Sequence, residues 1–62
     1  MCEVNAYIFK DGNEVLFLEN VETLKQEDNK VYLRNLFGEQ KEFEGIIREL
    51  SFRKNRVILE KR

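Results

Sequence analysis

Cys2 is the residue of this chain whose type and position best suit chemistry. It is the single cysteine of a sequence that contains no histidine. A cysteine beside a chain terminus offers its thiolate, the terminal amine and an adjacent backbone amide as fused chelate rings. Such a set suits a square-planar ion that accepts mixed nitrogen and sulfur ligands, Ni(II) or Cu(II), whereas Zn(II) prefers a tetrahedron. With Met1 removed, the amine belongs to Cys2 and the amide to Glu3; with Met1 retained, the Met1 amine and the Cys2 amide take those places. The plain alternative for Cys2 is a small buried hydrophobe that opens the first strand.

Little else in the sequence carries catalytic vocabulary. Without histidine there is no Ser-His or Cys-His pair, no imidazole base and no zinc site of the mixed type, so an enzyme is not expected. Glu39, Glu42, Glu44 and Glu49 alternate with Lys41 and Arg48, the pattern of a solvated, salt-bridged face. Asp11-Gly12-Asn13 lacks the further oxygen ligands of a calcium loop and reads as a turn. Gly38, a lone glycine, offers no ring of N–H groups for phosphate.

Two features bear on nucleic acid. Tyr7, Phe9, Phe17, Tyr32, Phe37, Phe43 and Phe52 would serve as a base-stacking platform on a small barrel, but about five of the seven are needed in the core or at a dimer interface. The basic cluster Arg53, Lys54, Arg56, Lys61 and Arg62 is the one patch suited to phosphate, and acids interrupt it. Eleven basic and twelve acidic residues leave a formal net charge of −1, which supplies no long-range pull toward a phosphate backbone. Nucleic acid is therefore not the expected main ligand.

The elements that must position these groups are strands. From Glu3 to Lys10, Val4, Ala6 and Ile8 alternate with Asn5, Tyr7 and Phe9. The Asp11-Gly12-Asn13 turn then leads into Glu14 to Glu19, which makes a hairpin. Asn20 suits either a helix cap or a strand that changes direction through Val21, Thr23 and Leu24, and the strand is favoured. Glu27-Asp28-Asn29 forms the next turn, and Lys30 to Phe37 alternates Val31, Leu33 and Asn35 against Tyr32, Arg34 and Leu36. After Gly38, Glu39 to Phe52 reads as one long strand with a bulge or bend at Gly45. The rival is a helix over Phe43 to Leu50, which Gly45 in its interior disfavours. Arg53 to Asn55 turns into a closing strand at Val57, Ile58 and Leu59. These signals predict an all-β fold: a small SH3-like antiparallel barrel of five to seven short strands, one domain over 1–62.

A chain of 62 residues buries only about 60% of its unfolded surface. Such chains gain stability from disulfides, metals or oligomerisation, and one cysteine excludes an internal disulfide, so a metal or a partner subunit is favoured. No apolar run spans a bilayer and the N-terminus lacks a secretory pattern, so a soluble cytoplasmic protein with a free thiol is expected.

The whole sequence resembles the CooT family of small nickel-binding proteins. The likeness begins at Met1-Cys2 and runs through Ala6-Tyr7, Asp11-Gly12-Asn13-Glu14, Glu19-Asn20-Val21 and Val31-Tyr32-Leu33. It continues through Leu36-Phe37-Gly38-Glu39 and Phe43-Glu44-Gly45 to Val57-Ile58-Leu59-Glu60. The resemblance implies an SH3-like barrel, a homodimer, and one Ni(II) ion where two N-termini meet, with Cys2 as the essential ligand. It also implies a metallochaperone or nickel-delivery role beside a nickel enzyme, best known for carbon monoxide dehydrogenase, although the client itself does not carry over. Some relatives have been described as predicted RNA-binding proteins, the alternative for this chain. A twofold axis beside the first strand would bring two Cys2 thiolates together and double the soft ligands.

Overall fold

In the computed structural model, which describes residues 3–61, five strands form a closed ring in chain order. They are β1 (Val4–Lys10), β2 (Asn13–Glu27), β3 (Lys30–Asn35), β4 (Gln40–Ser51) and β5 (Arg56–Lys61). Each successive pair is antiparallel. The seam is different: β1 and β5 run parallel, from Asn5 opposite Arg56 to Phe9 opposite Glu60. An odd number of strands that reverse at every turn leaves the first and last pointing the same way, so a five-stranded meander can close only through a parallel pair. The three strands between them serve as the long crossover that a parallel pairing requires. The expected antiparallel barrel is thus antiparallel at four of its five pairings.

The core follows the alternation of the strands. Ala6, Leu18, Val21, Val31, Leu33, Val57 and Leu59 are buried together, with Val4, Phe17, Leu24, Phe43 and Ile47 packed against them. In β3 the inward set is Val31, Leu33 and Asn35, and in β5 it is Val57 and Leu59. Leu59 and Val31 are among the largest fully enclosed side chains; truncating a leucine so placed typically costs about 2–5 kcal/mol.

The two long strands bend by different means. On β2, Ala6 pairs with Leu18 while Val4 pairs with Val21, so β2 carries an extra residue there, and Asn20 takes a left-handed φ of 54°. The segment is a strand that turns, as favoured over the helix cap. On β4 the shift in pairing falls between Ile47 and Glu49, three residues beyond the expected bend at Gly45. Gly45 is needed for close approach instead: a Cβ there would collide with the Glu60 carbonyl oxygen and stand 2.6 Å from Cε2 of Phe43. Its N–H also donates to the Asn29 carbonyl at 2.6 Å. The helix alternative over Phe43 to Leu50 fails because residues 43, 45 and 47 share the inward face of β4, while Leu50 is exposed.

Candidate functional site

The start of β1 sits in a hydrogen-bonded mouth of the barrel. The Asn5 N–H donates to the Asn55 carbonyl at 2.9 Å, the Asn5 side-chain oxygen accepts the Asn20 N–H at 3.1 Å, and the Asn20 carbonyl accepts the Leu36 N–H at 3.0 Å. This chain links the β4–β5 turn to the β3–β4 turn through Asn5 and Asn20, with Val4 paired to Val21 beside it. Asparagine suits such posts: its short side chain bonds to nearby backbone, and it tolerates positive φ better than other side-chain-bearing residues. Asn20 and Asn55 both adopt a φ of 54°.

The β3–β4 turn is saturated. Asn35 is buried, 2% exposed. Its side-chain oxygen accepts the N–H groups of Phe37 at 3.0 Å and Glu39 at 2.9 Å, and its amide donates to Glu39 Oε1 at 2.6 Å. Its backbone closes the turn, with Asn35 N–H on the Glu39 carbonyl and Gly38 N–H on the Asn35 carbonyl. The effect is to hold the Phe37 ring out in solvent, 74% exposed. On the other flank, Phe52 begins the β4–β5 turn at 78% exposed, and Leu36 and Leu50 are also open. A shallow groove bounded by Leu16, Phe17, Asn35, Phe37 and Lys41 runs beside the first turn. Large apolar residues exposed together mark surfaces that meet another molecule.

The aromatics divide three ways. Phe17 and Phe43 meet edge to face, with centroids 5.8 Å apart, against the core. Tyr7 lies under the Arg56 guanidinium and Phe9 under that of Arg48, and Tyr32 is half-buried. Phe37 and Phe52 are unburied. The seven therefore form no common stacking platform.

The basic cluster is likewise dispersed. Arg56 pairs with Glu14 and stacks on Tyr7. Lys61 pairs in register with Gly45, at the far end of β5 from Arg56. Arg53 and Lys54 stay in the exposed turn, and Arg62 lies outside the described residues. Of the glutamates read as a salt-bridged face, Glu42 meets Lys30 at 3.6 Å, whereas Arg48 meets Glu60 at 3.1 Å and Lys41 donates to the Phe17 carbonyl. Exposed pairs of this kind contribute at most about 1 kcal/mol.

Cys2, the predicted metal ligand, also lies outside the described residues. Among the described residues, no group of three or more His, Cys, Asp or Glu side chains is placed to hold a metal ion. No helix among them is long and apolar enough to cross a membrane. The asparagines at the mouth and the outward phenylalanines were not singled out from sequence as site residues. The one available signal was the choice at Asn20 between a cap and a turning strand.

Comparison with known proteins places the chain. Over residues 1–60 it matches the model of the family described as CO dehydrogenase accessory protein CooT. It is 33% identical over 60 residues to an uncharacterised protein of Methanocaldococcus jannaschii, covering 97% of this chain and 98% of that one. It superposes on the crystal structure of a chain assigned as CooT from Carboxydothermus hydrogenoformans with a TM-score of 0.90 and 34% identity, covering 98% of each chain. A five-stranded barrel matched end to end in both sequence and structure belongs to the CooT family of CO dehydrogenase accessory proteins.

Proposed function

We propose that this chain is a homodimeric, cytoplasmic nickel(II)-binding accessory protein that delivers the ion to a nickel enzyme, with the Cys2 thiolate of each protomer as ligand at the dimer interface. The observation that carries this reading is the donor inventory. The chain has no histidine and one cysteine, and the described carboxylates form no metal cluster. A borderline-soft ion that favours nitrogen and sulfur has only the Cys2 thiolate, with the neighbouring amine and amide groups, to bind. The ion is cargo, and family membership among CO dehydrogenase accessory proteins supports nickel over copper.

The barrel mouth supports the dimer. The start of β1 lies between the two turns that expose Phe37 and Phe52. A second copy covering these rings removes apolar surface from water at roughly 25 cal/mol per Å². About a twofold axis it also sets two thiolates side by side. Nickel that binds only the assembled pair stabilises it by mass action.

The test is a nickel titration of the wild-type protein and of Cys2→Ser, followed by ultraviolet-visible absorption for thiolate-to-metal charge transfer. The expected result is saturation at one nickel per dimer in the wild type and no bands in the variant, with an unchanged β-sheet circular dichroism spectrum. Full nickel affinity in Cys2→Ser overturns the assignment.

A further inference from the structure

The ring closes, yet two stretches of strand are paired on one side only. β3 meets β2 from Val21 to Glu27 and not before, so the first half of β2 has β1 as its sole partner strand among the described residues. The second half of β4, beyond Gly45, likewise pairs only with β5. Side chains from the facing strands reach across both gaps. Lys41 Nζ donates to the Phe17 carbonyl at 3.0 Å, and Gln26 Oε1 accepts the Ile47 N–H at 3.5 Å. Each engages a main-chain group that a neighbouring strand would otherwise satisfy.

The two edges are guarded differently. Charged side chains blunt open edges against pairing, and β4 carries Arg48 and Glu49 on its unpaired stretch. The β2 edge reads Val15-Leu16-Phe17-Leu18, without a charge, and Val15 and Leu16 are 57% and 46% exposed. Its main chain is also turned outward. The two-residue turn at Asp11-Gly12 makes Lys10 and Asn13 a hydrogen-bonded pair, and bonded pairs alternate with unbonded ones along a hairpin. In the register of Phe9 with Glu14 and Tyr7 with Leu16, the N–H and C=O groups of Glu14 and Leu16 therefore point away from β1. A groove of about 350 Å³, bounded by Leu16, Phe17, Glu39 and Lys41, lies along this side.

We propose that the first half of β2 is a docking edge for an extended, acidic segment of another protein, which adds to the sheet as a sixth strand. Its main chain bonds to the N–H and C=O groups of Glu14 and Leu16, and an apolar side chain lies on Leu16. Its carboxylate meets Lys41, which pairs with no carboxylate among the described residues. In strand addition the main-chain bonds give affinity and the alternate side chains give selectivity. A second copy paired here about a twofold axis would set the two chain starts at opposite ends of the pairing, away from the shared site proposed above. The choice of another protein over a second copy rests on that reading; the open edge does not.

The test selects a display library of random short peptides on the full chain and resynthesises the most enriched one. That peptide should alternate apolar residues and carry an acid, and its binding should slow amide exchange at Leu16, read by NMR, which is fast in the free protein. Leu16→Lys puts a charge on an exposed site and should leave the fold intact while lowering peptide affinity at least about ten-fold. Methylating alternate backbone nitrogens of the peptide should lower it by about ten-fold as well, the worth of one main-chain hydrogen bond. Equal enrichment on wild type and Leu16→Lys, or no effect of backbone methylation, overturns strand addition at this edge. Protection of the Leu16 amide that grows with protein concentration and needs no peptide identifies a second copy as the occupant and overturns the assignment to another protein. No readout here uses nickel, so failure of the Cys2 titration and failure of the docking edge are separate results.

Discussion

The two turns that flank the start of β1 look alike on the surface and differ beneath it. Each presents a phenylalanine to solvent, Phe37 in one and Phe52 in the other. Under Phe37, the buried Asn35 side chain satisfies two backbone N–H groups and bonds to Glu39. Under Phe52, the turn is tied by the Ser51 hydroxyl and the Asn55 carbonyl, and the Asn55 side-chain oxygen is left unpaired among the described residues. A saturated turn is complete within the barrel and serves as scaffold. An unsaturated one leaves a buried acceptor without a partner among the described residues.

That contrast yields graded expectations. The largest concerns Asn35→Ala, which strands the N–H groups of Phe37 and Glu39; a loss of about 3 kcal/mol is expected from two unsatisfied donors, measured by urea unfolding. A loss below about 1 kcal/mol would show that the β3–β4 turn is not held by Asn35. Next is the pair Phe37→Ser with Phe52→Ser. Both rings are exposed in the protomer, so protomer stability should move by no more than about 0.5 kcal/mol. For the proposed dimer, the dissociation constant from sedimentation should rise at least about ten-fold, because exposed aromatics anchor interfaces.

Gly38→Ala tests the scaffold turn more gently. Nothing lies within 4 Å of a Cβ built there, but φ is +85°, so the cost is backbone strain alone, about 1 kcal/mol. A much larger loss of stability would mean that the turn tolerates no adjustment. The smallest effect belongs to Asn55→Gly, whose side-chain oxygen has no partner within the barrel to lose. Its stability should change by less than about 1 kcal/mol. A loss equal to that of Asn35→Ala would erase the distinction between the two turns.

Much of the fold is legible because strand alternation is local. Val31, Leu33 and Asn35 separate from Tyr32 and Arg34 by parity, and the burial of β3 follows that parity. In β5 the same parity puts Val57 and Leu59 in the core cluster, but Ile58 between them is buried as well, so burial there does not follow parity alone. The hairpin at Asp11-Gly12 was legible because both residues take positive φ, of 52° and 79°, which is the twist that two-residue loops require. Gly45 was read for the wrong reason. Its place in β4 was correct, but the need for glycine comes from the Glu60 carbonyl, a strand away in space and fifteen residues along the chain. The dispersal of the basic cluster was not legible either, because Arg56 and Lys61, close in sequence, lie at opposite ends of β5 and meet different neighbours.

From the residues alone come the all-β class, the turns, and a donor inventory that leaves Cys2 as the one thiolate. These rest on chain chemistry and on a two-residue period, which need no knowledge of distant partners. Closure of the ring through a parallel seam, the outward setting of Phe37 and Phe52, and the meeting of Asn5, Asn20 and Asn55 around the first strand came from the folded barrel. Parity says which residues share a face, but only the pairing of strands far apart in sequence says which neighbours that face will meet.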